Sequence, residues 1–268
     1  MKQLTVDEMK AIQLEILDVV MKFCDEHEIK CWLDGGTLIG TIRHKGYIPW
    51  DDDIDLGMLR PDYEKFMKLF NKENTRYKFV CYELDENFYQ AFGKVLDTQT
   101  VLYEPDEKGT KLAVYVDIFT YDNVPDEKEI IDDMFRKRNK YYICNVARQA
   151  RIFQRPKGNF LRRLCVYALR SVVRIFPKNY FVRKIIMNSK RYVNAETRLI
   201  GNFLGVARMT CDKRVFNSLI DGEFEGKTYK IPVGYDEYLR EFYGDYMQLP
   251  PEEKRVSTHI FKAFKKDD

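Results

Sequence analysis

The chain has 268 residues, of which 45% are hydrophobic and 32% are charged, and this composition excludes an intrinsically disordered protein. Its net charge of +3 conceals an uneven distribution, because residues 134–195, which we call the basic segment, hold 17 of the 45 Lys and Arg residues and none of the 42 Asp and Glu residues. The rest of the chain is acidic, so we expect the basic segment to bind an anionic partner.

The first half of the chain alternates between helix and strand patterns. A capping box from Thr5 to Glu8 precedes apolar residues at helical spacing, which predicts a helix over residues 6–26. A β-prone stretch at 29–33 then leads through a glycine turn into a short helix at 38–43, and another helix begins at Arg60. Further strands are predicted at residues 53–56, 77–82, 91–95, 100–103 and 112–119.

The second half is expected to be mainly helical before it returns to strands. The patterns predict a helix over 126–149, further helices broken near Pro156 and Pro177, a hairpin at 224–231 and a helix at 236–243. We therefore expect three parts: a catalytic core at 1–133, a helical basic insertion at 134–200, and the rest of the catalytic domain at 201–268.

No feature of the sequence indicates a zinc site, a secretion signal or a membrane span. The six cysteines include no Cys-x-x-Cys pair and suit a reducing cytosol. The N-terminus is too charged for a signal peptide, and no apolar run approaches the roughly 18 residues of a membrane-spanning helix. We expect a cytoplasmic protein that does not cross the bilayer.

The clearest candidate for chemistry is the run of carboxylates Asp51, Asp52, Asp53 and Asp55. Alternate residues of a strand share a face, so Asp53 and Asp55 are expected to converge, with Asp51 on the same side. Clustered carboxylates repel one another unless a cation lies between them, and oxygen ligands favour Mg²⁺, Mn²⁺ or Ca²⁺ over zinc. The alternative is a solvated acidic loop, but the apolar neighbours indicate a packed element.

Two further features accompany this run. Asp117 interrupts an apolar and aromatic strand, so it is either a third metal ligand or general base, or one partner of a salt bridge. Gly35, Gly36 and Thr37 form a strand-to-helix turn, where backbone N–H groups can approach a phosphate, although a simple tight turn has the same pattern.

Together these residues resemble the nucleotidyltransferase-fold pattern, and the stretch GGTLIGTIRHKGYIPWDDDIDLGM resembles the LicD family of bacterial phosphocholine transferases, with fukutin-related transferases sharing the core. The similarity covers about residues 10–120 and 208–260. It implies an α/β (α+β) fold, with a nucleotidyltransferase-like mixed sheet flanked by helices and a largely helical basic insertion.

The resemblance also implies an activity, which is transfer of phosphocholine from CDP-choline to a hydroxyl of a teichoic acid or lipopolysaccharide precursor, with release of CMP. Asp53, Asp55 and Asp117 would hold Mg²⁺ or Mn²⁺, with Asp51 as a further ligand, and Asp117 could accept the hydroxyl's proton. Gly35, Gly36 and Thr37 would face the donor's phosphates.

Three basic residues are candidates for substrate binding, Arg43 and Lys94 at the donor phosphates, and each has a structural alternative. Arg43 lies in the family-like IGTIRHKG stretch, Lys94 lies on a predicted strand, and His259 lies in the family-like C-terminal stretch. Arg43 could instead form a surface salt bridge, and His259 could have a structural role. For the choline group, which aromatic faces attract, Trp32, Trp50 and Tyr115 are near the site in sequence, and Tyr115 shares a strand face with Asp117.

Residues 160–176 of the basic segment predict an amphipathic helix with a wide apolar face and with Arg163, Arg170 and Arg174 opposite. We expect it to hold the protein on the anionic inner face of the cell membrane, beside a lipid-linked acceptor, with these arginines contributing to binding. The alternative is an ordinary helix packed on the core. Nucleic acid is not expected as the partner, because no nucleic-acid-binding motif accompanies the charge.

Three other functions remain open. Transfer of another phospho-alcohol, such as ribitol or glycerol phosphate, would need the same site. A glycosyltransferase also uses an Asp-x-Asp motif, but the glycine turn and Asp117 argue against it. A non-enzymatic protein that binds membranes or anionic polymers would explain the basic segment but not the carboxylates.

Overall fold

The computed structural model describes residues 1–103, 112–150, 156, 158–205, 207–256 and 262–267. In these ranges the strands are β1 (Lys2–Gln3), β2 (Cys31–Leu33), β3 (Asp55–Leu59), β4 (Tyr77–Val80), β5 (Gly93–Asp97), β6 (Thr100–Tyr103), β7 (Tyr115–Val124), β8 (Leu199–Asn202), β9 (Met209–Asp212), β10 (Leu219–Phe224), β11 (Lys227–Pro232) and β12 (Lys262–Lys265). The helices are α1 (Val6–Glu26), α2 (Gly35–Arg43), α3 (Arg60–Glu73), α4 (Lys128–Gln149), α5 (Phe160–Val173), α6 (Tyr180–Ser189) and α7 (Tyr235–Tyr243). Short 3-10 helices lie at Lys190–Tyr192, Lys213–Phe216 and Glu252–Lys254.

A mixed sheet of seven strands organises the fold. Its path runs β2-β3-β7-β5-β4, and β8 and β9 extend it from the C-terminal end of β7. β3 and β7 are parallel, whereas the other neighbouring pairs in this sheet are antiparallel. The predicted α/β class, with a mixed sheet and flanking helices, is confirmed.

The first helix forms as the sequence predicts. The Thr5 hydroxyl accepts a hydrogen bond from Glu8 N (3.2 Å), and the Glu8 carboxylate accepts one from Thr5 N (2.9 Å), which completes the capping box. The fully buried face of α1, which includes Ile16, Leu17 and Val20, packs against β5 and β7. The helix therefore covers the two strands that carry Lys94 and Asp117.

Two strands differ from the predicted ranges in a way that affects the site. The strand expected at 53–56 starts only at Asp55 and continues to Leu59, and the strand expected to end at Phe119 continues to Val124. Both are buried on their two faces over most of their length, so neither shows the alternation that marks a half-buried strand. Asp53 consequently lies in the loop before β3 rather than on the strand.

The predicted helices of the basic segment are present as α4, α5 and α6, and α4 packs against both of the others. The ring of Phe135 in α4 lies 4.5 Å from that of Phe203, just beyond β8, and Asn188 in α6 donates a hydrogen bond to the carbonyl of Met134 (3.0 Å). The expected boundary after residue 133 falls inside α4. None of the helices within the described ranges combines the length and apolar character that a bilayer crossing needs.

A buried ion pair connects this segment to the sheet. Arg60, at the start of α3, donates two hydrogen bonds of 2.7 Å to the carboxylate of Asp122 in β7. Ser189, the last residue of α6, donates to the same carboxylate. Removing one partner of such a pair would leave a buried charge uncompensated. Because Ser189 bonds to the same carboxylate, the end of α6 is fixed against the sheet.

Candidate active site

The acidic loop in front of β3 forms one cluster of carboxylates. Oxygen atoms of Asp51, Asp52 and Asp53 lie within 4.8 Å of one another, and all three residues are half-buried. The loop is held from behind, because the buried side chain of Gln13 donates a hydrogen bond to the carbonyl of Asp52 (2.9 Å). This arrangement differs from the expected one, in which Asp53 and Asp55 share one face of a strand.

Asp55 and Asp117 meet instead through strand pairing. They are partners in the register of the parallel strands β3 and β7, and Asp117 N donates to the carbonyl of Ile54 (2.9 Å). Burial raises the pKa of Asp55 well above its ordinary value, and the negative charges of Asp53 and Asp117 raise it further. The loop cluster and the strand pair thus form one electrostatically connected set, which we call the carboxylate group: Asp51, Asp52, Asp53, Asp55 and Asp117.

The same excess of negative charge acts on Asp51. Burial, with the neighbouring charges of Asp53 and Asp52, raises its pKa to about 7. Such carboxylates must either bind protons or share a cation, and their oxygen atoms are the ligands that Mg²⁺ and Mn²⁺ prefer. The residues present therefore fit a divalent metal ion.

The two glycines of the turn allow these carboxylates to approach the start of α2. A Cβ atom on Gly35 would lie 2.9 Å from Asp55 Oδ2, and one on Gly36 would lie 2.8 Å from Asp51 Oδ2. Gly35 also has a φ of +51°, which side chains disfavour. Contact with donor phosphates remains a prediction for both residues. The positive φ of Gly35 and the close approach of Asp55 favour glycine at that position, whereas at Gly36 an added Cβ would meet only the end of the Asp51 side chain.

Thr37 connects the turn to the acidic strand. Its buried hydroxyl accepts a hydrogen bond from Asp55 N (2.9 Å), while Asp34 N donates to the carbonyl of Asp55 (2.9 Å). These two bonds fix where β3 begins. Thr37 therefore has a structural role, and its binding of the donor remains a prediction.

Lys94 and Tyr115 adjoin Asp117. The buried Lys94 ammonium lies 2.5 Å from Asp117 Oδ1 and 3.4 Å from the centroid of the Tyr115 ring. The salt bridge that the sequence left open as an alternative for Asp117 is therefore present, next to the carboxylate group. The Tyr115 ring already contacts a cation, which argues against it as a free surface for choline.

Arg43 lies farther along α2 and faces the C-terminal part of the chain. It donates hydrogen bonds to the carbonyls of Tyr246 (2.5 Å) and Gln248 (3.4 Å). These contacts hold the stretch after α7 against α2. His259 lies outside the described residues, so its predicted role has no structural counterpart here.

A network around Asp34 was not anticipated from the sequence. This buried carboxylate accepts hydrogen bonds from the hydroxyl groups of Tyr238 (2.6 Å) and Tyr121 (2.7 Å), which also lie 2.6 Å from each other. Burial nevertheless raises the pKa of Asp34. The network ties the glycine turn to β7 and α7, and its only signal in the sequence was an aspartate directly after an apolar strand.

A cavity of about 450 Å³ opens between α2 and the stretch after α7. Its wall includes Trp50, which precedes the acidic loop, together with Tyr243 and Tyr246. Burial, and then the charges of Asp34, Asp55 and Asp51, raise the pKa of Tyr243, and Trp50 directly precedes Asp51 in the chain. Trp32, by contrast, is fully buried and packs 4.4 Å from the ring of Phe216 in the core.

The structure thus brings most of the predicted site together. The residues that meet at or beside the carboxylate group are Gly35, Gly36, Thr37, Asp51, Asp53, Asp55, Lys94, Tyr115 and Asp117. Arg43 lies at the adjoining cavity. Gln13, Asp34 and Tyr243 are additions from the structure. Besides Asp34, Gln13 also had a sequence signal, because it is a polar residue within the buried stripe of α1.

Comparison with known proteins places this site in a family context. A family model described as "LicD/FKTN/FKRP, nucleotidyltransferase domain" matches residues 28–153. The chain is 34% identical over 270 residues to "Lipopolysaccharide cholinephosphotransferase LicD" of Haemophilus influenzae, across 98% of this chain and 99% of that relative. It is 50% identical over 34 residues to "Ribitol 5-phosphate transferase FKRP" of Homo sapiens and of Mus musculus, which is 13% of this chain and 7% of each relative. The residues of the carboxylate group all lie within the matched range.

Proposed function

Because the chain belongs to the LicD family, we propose that it is a transferase that moves phosphocholine from CDP-choline to a hydroxyl group of a cell-envelope glycan precursor and releases CMP. The full-length relative from Haemophilus influenzae is named as a lipopolysaccharide cholinephosphotransferase, which supports phosphocholine as the group and lipopolysaccharide as the acceptor class. A teichoic acid precursor is the alternative acceptor.

The proposed reaction is a single displacement at phosphorus. The hydroxyl oxygen of the acceptor forms a bond to the phosphorus that carries choline, and the bond from this phosphorus to the CMP phosphate oxygen breaks. CMP leaves with the electron pair of that bond, and the hydroxyl proton passes to a base. We assign the base to Asp117, because Lys94 holds one of its oxygen atoms at 2.5 Å and so orients the carboxylate.

Asp51, Asp53, Asp55 and Asp117 would hold Mg²⁺ or Mn²⁺. When bound, such an ion offsets the negative charge on the transferring phosphoryl group and on the departing CMP. The chain's own contribution is to keep the carboxylates close to one another, through the register of β3 and β7, the two glycines and the Gln13 hydrogen bond.

For the choline group we propose the cavity beside Trp50 and Tyr243. A quaternary ammonium cannot donate a hydrogen bond, so aromatic faces near negative charge are suited to it. The Arg255 guanidinium lies 5.8 Å from the centre of the Trp50 ring, a longer and weaker contact than that of the buried Lys94 with Tyr115 at 3.4 Å. Bound choline would share or replace this contact.

The acceptor is proposed to be lipid-linked, which would place the protein at the inner face of the cell membrane without crossing it. The basic segment supports an anionic surface as the partner, because it contains no acidic residue between positions 134 and 195. We do not assign nucleic acid as a partner.

The observation that carries the proposed function is the placement of Asp55 and Asp117 in register beside the loop carboxylates. The test is a donor screen in which purified protein and Mg²⁺ are mixed with CDP-choline, CDP-ethanolamine, CDP-glycerol or CDP-ribitol, and released CMP is measured with and without a glycan acceptor. CDP-choline should give the highest rate. Release of a nucleoside diphosphate from a sugar nucleotide, with no CMP from any donor, would indicate a glycosyltransferase instead.

The same screen tests a second candidate, which is ribitol phosphate transfer. The local match to a ribitol 5-phosphate transferase supports it, although that match spans only 34 residues. A preference for CDP-ribitol would favour this reaction and would leave the assignment of the carboxylates intact.

A further inference from the structure

One side of α5 presents apolar side chains to the surface of the protein. Phe160 is 77% exposed, Leu161 69%, Leu164 56% and Val172 55%, and Ile175 directly after the helix is 82% exposed. We call these five residues the apolar face of α5. Isolated exposed apolar residues are common, but five on one helical element form a continuous feature that indicates an interaction surface.

The opposite side of α5 is the one that packs on the protein. Val173 is buried with Ala147 of α4 and Phe181 of α6, and Leu169 packs against the same cluster. Arg170 is only 7% exposed. The apolar face is therefore not the side that attaches the helix to the core, and the alternative of ordinary core packing does not account for it.

This orientation corrects the expectation for the arginines. Arg174 donates hydrogen bonds to the carbonyls of Arg170 (2.6 Å) and Ala150 (2.7 Å), and Arg163 is half-buried. The three arginines lie opposite the apolar face, as the helical wheel indicated, and the structure shows that this is the side that attaches α5 to the protein. Arg170 in particular is buried and does not offer its charge to an external surface.

Other basic residues of the segment are exposed. Within the described ranges they include Arg136, Lys140, Arg162, Lys178, Arg183 and Arg191. Arg136 and Arg191 each pair with Asp133, directly before the segment, at 2.7 and 3.0 Å. The charge offered to an external surface therefore comes from the others, and no acidic residue occurs between positions 134 and 195. A second copy of this chain is a poor occupant for the apolar face, because pairing would bring two such basic surfaces together. A surface of negative charge with an apolar interior matches both properties.

We propose that the apolar face of α5 inserts into the boundary between headgroups and acyl chains of a bilayer that contains anionic lipid. Arg162 and Lys178, at the two ends of the face, would then lie at the level of the headgroups. This proposal deepens the membrane location proposed above and rests on that location, but it does not depend on which donor the enzyme uses.

The test compares binding of the full chain to vesicles of phosphatidylcholine alone and to vesicles that also contain phosphatidylglycerol. The variant Leu161→Gln/Leu164→Gln/Ile175→Gln removes the apolar face at exposed positions, so its melting temperature should stay near that of the wild type. The matched control is Leu84→Gln/Ile220→Gln/Val233→Gln, which changes three exposed apolar residues on other elements. Co-sedimentation is measured at low ionic strength and at about 0.15 M, where the Debye length is about 8 Å.

Wild type and control should bind the anionic vesicles, more weakly at the higher ionic strength, and the α5 variant should bind at least about tenfold more weakly. Equal binding by the α5 variant would overturn the proposal, as would equal binding to both kinds of vesicle. A concentration-dependent dimer that the α5 variant loses, without vesicle binding, would overturn it in favour of a second copy. CMP release in solution separates the two proposals. The α5 variant should release CMP at the rate of the wild type, because the apolar face of α5 lies outside the proposed site. If no donor yields CMP with the wild type, the proposed function is contradicted and the membrane proposal is not.

Discussion

Lys94 and Asp117 face each other in register on the antiparallel strands β5 and β7, and their charged groups lie 2.5 Å apart in the interior of the protein. The lysine offsets part of the negative charge that the other carboxylates concentrate around Asp55. The pair therefore connects the stability of the sheet to the chemistry of the site.

Replacing Lys94 with Met should lower the free energy of unfolding by about 3–5 kcal/mol, because the buried Asp117 carboxylate loses its cation. The double variant Lys94→Met/Asp117→Asn should recover much of this loss, since no unpaired charge remains. Urea unfolding of the four proteins in the cycle measures the coupling. Additive losses would show that the two residues do not stabilise each other.

The variants Asp53→Asn, Asp55→Asn and Asp117→Asn should each reduce the rate of CMP release at least about 100-fold, because each removes charge from the site where the transferring phosphoryl group must be stabilised. Asp221→Asn is the matched control, since that aspartate is exposed and pairs with Lys230 on the β10–β11 hairpin. Circular dichroism checks the fold of each variant. A folded Asp55→Asn protein with normal turnover at saturating Mg²⁺ would refute the assigned site.

Gly35→Ala should destabilise the protein more than Gly226→Ala. Both glycines have positive φ values, of +51° and +71°, so both substitutions carry a conformational cost of about 1–2 kcal/mol. Only Gly35 is crowded, with Asp55 Oδ2 at 2.9 Å from the added Cβ, whereas nothing lies within 4 Å of it at Gly226. Thermal melts compare the two, and equal losses would mean that the carboxylate moves away freely.

Without metal, Asp51 should make the protein less stable as the pH rises from about 4 to about 7. Its pKa is raised to about 7 in the folded state, from an ordinary value of 3.8, so folding takes up a proton between these values and that contribution is lost as the pH increases through them. Mg²⁺ should bind more tightly over the same rise, because it competes with the proton. The difference in melting temperature between wild type and Asp51→Asn, measured in EDTA across this range, isolates the effect. A difference that does not change with pH would contradict it.

Trp50→Ala should raise the KM for CDP-choline by about 2- to 30-fold, which corresponds to roughly 0.5–2 kcal/mol for one cation–π contact. The KM for CDP-glycerol, which carries no cation in its alcohol, should change less. Equal effects on both donors would place the choline group elsewhere.

Motifs formed by residues close together in the chain were predictable from the sequence, whereas contacts between distant segments were not. The capping box at Thr5 and the hairpin around Gly226 follow from local patterns and are confirmed. The role of Asp34 depends on Tyr121 and Tyr238, which lie 87 and 204 residues after it in the chain, and no local pattern predicts such a contact.

The basic segment shows the same limit on a larger scale. Helical periodicity correctly separated the apolar and arginine sides of residues 160–176. It could not decide which side packs inward. A helix that buries its apolar side in a protein and one that inserts this side into a membrane have the same amphipathic pattern. The burial of Arg170 and Val173 against α4 and α6 settles the orientation of α5 on the protein.

The hydrogen bond from Ser189 to Asp122 has a consequence for any attempt to shorten the protein. Excising residues 134–198 would remove the end of α6 from the buried Arg60–Asp122 pair and would uncover Phe203, whose ring packs on Phe135. Asp122 lies on the same strand as Asp117, five positions further along. A minimal enzyme made by trimming the basic helices would therefore lose support for the strand that carries its proposed base, so smaller versions should retain α4 and α6 and alter only the outward side of α5.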